Sequence, residues 1–407
     1  MLALRLPYFL KYGSNSLWNA PVLMAVLWRL RVRQPNQAVL NPTTWTSQTS
    51  GKHLLDGIEA STEQFSTGGM PAIGPTDMFP GIDEDCDKAL FLLTHNPPEQ
   101  RLDIPMTYSQ FVQLEESWSK FRSENNISKE KRYPSLSYNG LMHIATVVTI
   151  QSALHDYTAS VFREIIASGV NEYLTIHKPN AIARLKNYGS TTMRKLTPRG
   201  PSSKEPDQSF GYGRPGRKPC LQVAIECGVR ENYKALLRDK DLWIQHLGAK
   251  AVVLIGLKEA PRFENPRTPY ENIKDPVAEV EEMEQHAVVA MKRNLEQGIY
   301  GRIEYRSHMW VGNLVEVFVE VWRAGETQPL RKWLIRYGRP NRLPKTIGLK
   351  ISDFFPEHEW AALKIPDSNV PFHGARYVLW EDLAEAVLMT ASNRFVLFLE
   401  SLTMPKG

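Results

Sequence analysis

From residue 202 to residue 228 the chain reads SSKEPDQSFGYGRPGRKPCLQVAIECG. CLQVAI is a short apolar stretch with β-branched residues, bounded on its left by Gly and Pro, which is the pattern of an interior strand. Glu226 ends that strand, with only Cys227 and Gly228 after it. A carboxylate in such a place is costly to bury unless a positive charge lies against it. Asp207 follows Pro206 on a segment able to pair with the strand. Two carboxylates brought together on adjacent strands repel each other, and a divalent cation is a common way to make the pair favourable.

Outward from this run the periodicities change. Residues 143–168, HIATVVTIQSALHDYTASVFREIIAS, carry the longest helical pattern, with Val147, Ile150, Leu154, Tyr157, Val161 and Ile165 on one stripe and Gly169 as the stop. EYLTIHK (172–178) and AIARLKNYGSTTM (181–193) read as strands leading into the opening run. After Glu226, residues 231–248 form an amphipathic helix that Gly248 ends, and AKAVVLIGLK (249–258) is a second interior strand. Helix, β-ribbon, strand, helix, strand is an α/β arrangement with its two apolar strands parallel across the helical crossover. NLVEVFVEVWRA (313–324) alternates strictly, which reads as a half-exposed strand with Glu316 and Glu320 on the solvated face. A helix is expected near 107–125, capped by Thr107 or Ser109, and another over the C-terminal WEDLAEAVLMTASNRFVLFLESL.

At this point the residues suggest a family. The stretch YGSTTMRKLTPRGPSSKEPDQSF, then CLQVAIECG, then LLRDKDLW, resembles fungal proteins of the PD-(D/E)XK nuclease-like superfamily over roughly residues 131–330. The resemblance implies a restriction-endonuclease-like core: helix, β-hairpin, strand, helix, strand. Residues 1–130 are then a variable, partly disordered N-terminal extension, and 331–407 a basic segment with a C-terminal helical extension. The resemblance further implies metal-dependent phosphodiester hydrolysis, with Asp207 and Glu226 as the metal-binding acids and Mg (or Mn) as cofactor. Hard carboxylate oxygens suit such an ion, which keeps several waters.

The motif is incomplete, because its lysine position, two residues after Glu226, holds Gly228. Lys240, on the following helix, and Lys204, three residues before Asp207, are the two candidates to replace it. Arg230 can hold phosphate but cannot act as a base. Each residue also has a plainer reading. Asp207 is a turn aspartate after proline, Glu226 pairs with a basic residue, Lys240 lies on a solvated helix face, Glu205 faces away from Asp207, Glu164 is an exposed helix glutamate, and His155 with Asp156 is a helix-surface pair. The alternative function is therefore a non-cleaving nuclease-like fold that binds nucleic acid or protein.

Bulk properties allow these readings without choosing among them. The chain has 407 residues, 42% hydrophobic and 23% charged, with a net charge of +5. That mild basic excess permits a nucleic-acid partner, DNA or RNA. Candidate contacts are Arg194, Lys195 and Arg199, and the acid-free run Arg331, Lys332, Arg336, Arg339, Arg342. Three scattered cysteines argue for free thiols in a reducing compartment, nuclear or cytoplasmic. No segment is long and apolar enough to span a membrane. The first 55 residues contain six Lys/Arg and no acid, a composition like that of a mitochondrial leader. Residues 34–80, rich in Ser, Thr, Gln, Gly and Pro, read as largely disordered or as long loops.

Overall fold

A computed structural model describes residues 82–403 apart from 96–99, 128–132, 150, 198–199, 214–219, 230–232, 267–272, 274 and 375–378. The leader-like composition and the expected disorder of 34–80 lie outside the described residues, as do Arg199 and Arg230.

The chain is mixed α/β with open sheets. It begins with helix α1 (Ile82–His95), strand β1 (Arg101–Pro105) and helix α2 (Tyr108–Glu124). Thr107 caps α2, and its exchange with Gln110 forms a capping box. Strands β2 (Ser135–Asn139) and β3 (Ile144–Val148) precede the long helix α3 (Ala153–His177). Four short strands follow: β4 (Leu185–Asn187), β5 (Met193–Thr197), β6 (Gly200–Lys204) and β7 (Gln208–Tyr212). Next come strand β8 (Cys220–Gly228), helix α4 (Tyr233–Asp241) and a π-helical turn over Leu242–Leu247. Strand β9 (Ala251–Ala260) leads to helix α5 (Pro276–Glu296), strands β10 (Gly301–Tyr305), β11 (His308–Arg323), β12 (Leu330–Arg336) and β13 (Arg339–Pro340), and finally helix α6 (Leu379–Thr403).

Two sheets organise these elements. The smaller has the order β1-β3-β2-β6-β5; the larger runs β13-β12-β11-β9-β8-β7-β4, with β10 beside β11. In the larger sheet β8 and β9 are parallel neighbours, as their separation by one amphipathic helix requires. Helices α3, α5 and α6 cover one face, where Val223, Ile225, Val253, Ile255, Val317 and Val319 make the main core. Helix α4 and the π turn cover the other through Leu236, Leu242, Trp243 and Leu247, against Ala224, Val252, Leu254 and Trp322.

Several expectations are corrected. HIATVV is not helical: its β-branched residues form β3, and the helix starts only after the Ser152 cap. The same helix does not stop at Gly169. Val170 and Leu174 continue its buried stripe to His177, so EYLTIHK is helix and not strand. Gly169 is a packing residue, because a Cβ there would stand 2.3 Å from the Pro371 carbonyl oxygen. Glu320 is not solvated: it is 0% exposed, since α4 covers that face of β11. Pairing and packing run across residues 130 and 330. Strand β1 pairs with β3, β12 extends the larger sheet beyond β11, and α6 lies in the main core. A buried ion pair, Arg394 with Glu259 at 2.8 Å, fixes α6 to β9.

Candidate functional site

The segment SSKEPD passes from one sheet to the other. Lys204 is the last residue of β6 in the smaller sheet, and Asp207 stands immediately before β7 in the larger one. Gln208 pairs with Ile225 across the antiparallel β7–β8 ladder, which sets Asp207 opposite Glu226 one step further on. Residues directly opposite share a sheet face, so the two carboxylates line one polar cleft together with Lys204, Asp239, Arg101 and His155.

Each acid is held differently. Asp207 Oδ2 accepts the Cys227 N–H at 2.7 Å, tying the loop to the end of β8. His155 Nε2 lies 3.3 Å from the same oxygen, and its Nδ1 is 2.9 Å from Asp156 Oδ1. Burial opposes charge on this imidazole, yet Asp207 and Asp156 together hold its pKa well above the usual value. Glu226 Oε1 accepts from the Trp243 indole, and Oε2 lies 3.6 Å from the Lys204 ammonium. Lys204 is closer to Asp239, at 3.1 Å, and Asp239 also takes a two-pronged contact from Arg101 at 2.9 and 3.2 Å.

These contacts separate the acids electrostatically. Burial pushes the Glu226 carboxyl up to about 8; the charges of Asp207 and Asp239 add to this, and Lys204 only partly opposes it. Burial also acts on Asp239, but Arg101 and Lys204 overcome it and hold that group down to about 2. Lys204 is thus divided between two acids, and Glu226 has only a share of its positive charge. This suits a small divalent cation bound by hard oxygens. Each carboxylate has further lone pairs beyond its protein donors, and Mg²⁺ is commonly held by one or two carboxylates plus water and phosphate oxygens. Among the described residues no group of three or more His, Cys, Asp and Glu is gathered for a metal.

The structure brings Asp207, Glu226 and Lys204 together and leaves Lys240 out. The Lys240 ammonium pairs with Asp241 and sits 4.4 Å from the centre of the Trp322 ring, outside the cleft. Packing favours Gly228: a Cβ there would meet Leu236 Cδ1 at 2.9 Å, so any side chain would press on the buried Leu236 of α4. Glu205 lines the cleft and does not face away from Asp207; the two stand two residues apart, a spacing that strand alternation puts on one face. Glu164 is exposed and pairs with Arg163. His155 is 4% exposed and not a surface residue. Asp239 and Trp243 also belong to the site; LLRDKDLW places them four residues apart on one helical face, a signal present in the sequence but given no role there. Nothing in the spacing around His155 points to Asp207.

Among the described residues no helix is long and apolar enough to cross a membrane. No protein-family model matches this chain, and no curated protein matches it.

Proposed function

We propose that the chain is a metal-dependent phosphodiesterase acting on nucleic acid, with Mg²⁺ or Mn²⁺ held by Asp207 and Glu226. The observation that carries this reading is the placement of Lys204 against Glu226 in the cleft where Asp207 faces Glu226. The element order supports it: α3, the antiparallel set β4, β7 and β8, then α4 and the parallel strand β9, agree with the restriction-endonuclease-like core that the sequence resembles.

When bound, the ion would lower the pKa of a coordinated water and offset charge on the phosphate undergoing attack. The chain's own groups orient the reactants. His155 and the Cys227 N–H fix the Asp207 carboxylate, and Trp243 fixes that of Glu226. Lys204 supplies an ammonium to a phosphate oxygen, while Asp239 and Arg101 keep its chain extended toward the cleft. The second reading, a non-cleaving module, is favoured by one observation: both acids already carry a protein hydrogen-bond donor. Incubating the purified chain with labelled DNA and RNA, with and without Mg²⁺ or Mn²⁺, separates the two. Metal-dependent cleavage that Asp207→Ala removes is expected. Binding without cleavage under every metal condition leaves the non-cleaving module.

A further inference from the structure

We infer that the β12–β13 hairpin is a contact for a single-stranded segment of nucleic acid, an inference that rests on the nucleic-acid reading above. The hairpin has a two-residue loop, Tyr337-Gly338, with φ of +54° and +73°. Such a loop favours Asn, Asp or Gly at its first position. A bulky aromatic residue held at positive φ is strained, and strain of this kind is found where function requires it. Packing gives no reason for it here, because Tyr337 is 79% exposed.

Charge supplies a second, independent observation. Arg336 and Arg339 are paired directly across the ladder, an arrangement that costs stability through like-charge repulsion. Both are exposed, as is Arg342, and no acid occurs between residues 327 and 352. The acid facing Arg336 is Glu316 on β11, whose carboxylate lies 3.4 Å from Lys258. The Arg336 guanidinium lies 5.3 Å from the centre of the Trp333 ring and 5.0 Å from that of Tyr337. One cation therefore already lies against two rings. The Gly338 N–H to Val315 O and the Asn341 N–H to Leu334 O hold the hairpin in place.

A polyanion relieves the arginine repulsion, and a base face satisfies the exposed ring. Only an unpaired base offers its face, which is why the ligand is single-stranded. Two other candidate cations do not share this role. Arg331 is turned inward onto Glu320 and over Phe318, and Arg194 pairs with Glu115.

The hairpin also lies on the correct side of the sheet. Glu226 pairs with Leu254, Leu254 with Glu320, and Glu320 with Arg331, which places Glu226 and Arg331 in one row on one face. Arg336 lies further along β12 in the direction in which β8 runs past Glu226. Strand spacing and rise put it about 20 Å from Glu226. At about 3.4 Å per stacked nucleotide, that is at most about six nucleotides from the cleft.

The test is fluorescence anisotropy of labelled single-stranded DNA, single-stranded RNA and duplex DNA with the full chain in EDTA, which separates binding from cleavage. Tyr337→Asn suits the loop's positive φ, so it is expected to raise Tm while weakening single-strand binding about tenfold. Arg336→Gln with Arg339→Gln is expected to reduce the slope of log K against log salt by about 0.7 for each phosphate that is no longer neutralised. If both variants bind as the unmutated chain does, the hairpin inference falls while the nucleic-acid reading stands. Preference for duplex over single strand also overturns the inference, as does equal competition by polyglutamate. If the unmutated chain binds no nucleic acid, the broader reading fails, and the hairpin with it.

Discussion

Glu226 and Glu320 lie in one row of the larger sheet, each in register with Leu254, and they differ in how their charge is met. Glu320 is enclosed by Arg331, the Tyr233 hydroxyl and the Trp322 indole. Glu226 has an indole and a lysine shared with Asp239, and it faces Asp207. The first arrangement is complete; the second gains from one more cation. This contrast is why Glu226, and not Glu320, is the acid proposed to hold the metal.

Glu226→Gln tests that contrast without metal. The folded carboxyl titrates at about 8 against an ordinary 4.5, so its contribution to stability is fully present below 4.5 and is lost as pH rises through about 8. The amide does not titrate. The stability difference between the variant and the unmutated chain should therefore grow in the variant's favour from pH 5 to pH 8, by more than ~1 kcal/mol. Urea unfolding in EDTA at several pH values measures it; a constant difference would refute the raised titration.

Metal binding should show the same proton from the other side. An ion at Asp207 and Glu226 must displace the proton held by Glu226, so Mg²⁺ or Mn²⁺ affinity should rise up to tenfold per pH unit toward pH 8 and then level off. Titration calorimetry in buffers of different ionisation enthalpy counts the protons released. Metal should also raise Tm with increasing concentration in the unmutated chain and not in Glu226→Gln.

The two lysines give a clean division. Lys204→Met keeps most of the side-chain volume and removes the ammonium; a drop in cleavage of about 10²-fold or more is expected, at the scale of removing one group that stabilises transition-state charge. Some loss of stability will accompany it, because Asp239 and Glu226 lose a buried partner. Lys240→Ala should leave cleavage within about twofold, since its ammonium lies over Trp322. Single-turnover assays at saturating Mn²⁺ decide between them, and the reverse pattern would return Lys240 to the site.

Restoring the motif lysine should harm the protein. Gly228→Lys forces a Cβ to within 2.9 Å of Leu236 Cδ1 and should cost about 1–3 kcal/mol, with no gain in cleavage. A melting curve and one activity assay are sufficient.

A chain ending at residue 330 should not fold. It lacks β12 and α6, leaves Glu259 buried without Arg394, and exposes the sheet face that Leu383, Val387 and Phe395 cover. Breaking the pair alone, by Arg394→Met, should cost about 3–5 kcal/mol. Circular dichroism of the shortened chain and denaturant unfolding of the variant measure these effects.

Local chemistry was legible in the sequence where it acts over short range. The apolar runs CLQVAI and AVVLIGL became adjacent parallel strands because one amphipathic helix separates them, and Thr107 became a cap because its hydroxyl needs only the next turn. Asp207 and Glu226 were readable as a pair for a similar reason, since an acid at the end of a buried strand requires an explanation. The choice between Lys204 and Lys240 was not readable. It depends on β6 meeting β8 at the junction of two sheets, and no period along the chain encodes that. The same holds for His155, buried because the N-terminus of α3 meets the PD loop, and for Glu320, buried because α4 covers a strand whose alternation alone reads as half-exposed. The sequence by itself determined the two central parallel strands, the helix between them and the cost of burying Glu226, but not the strand at HIATVV or the helical course of EYLTIHK. Only the tertiary structure decided which cations reach those acids, because long side chains meet through packing between elements distant in the chain.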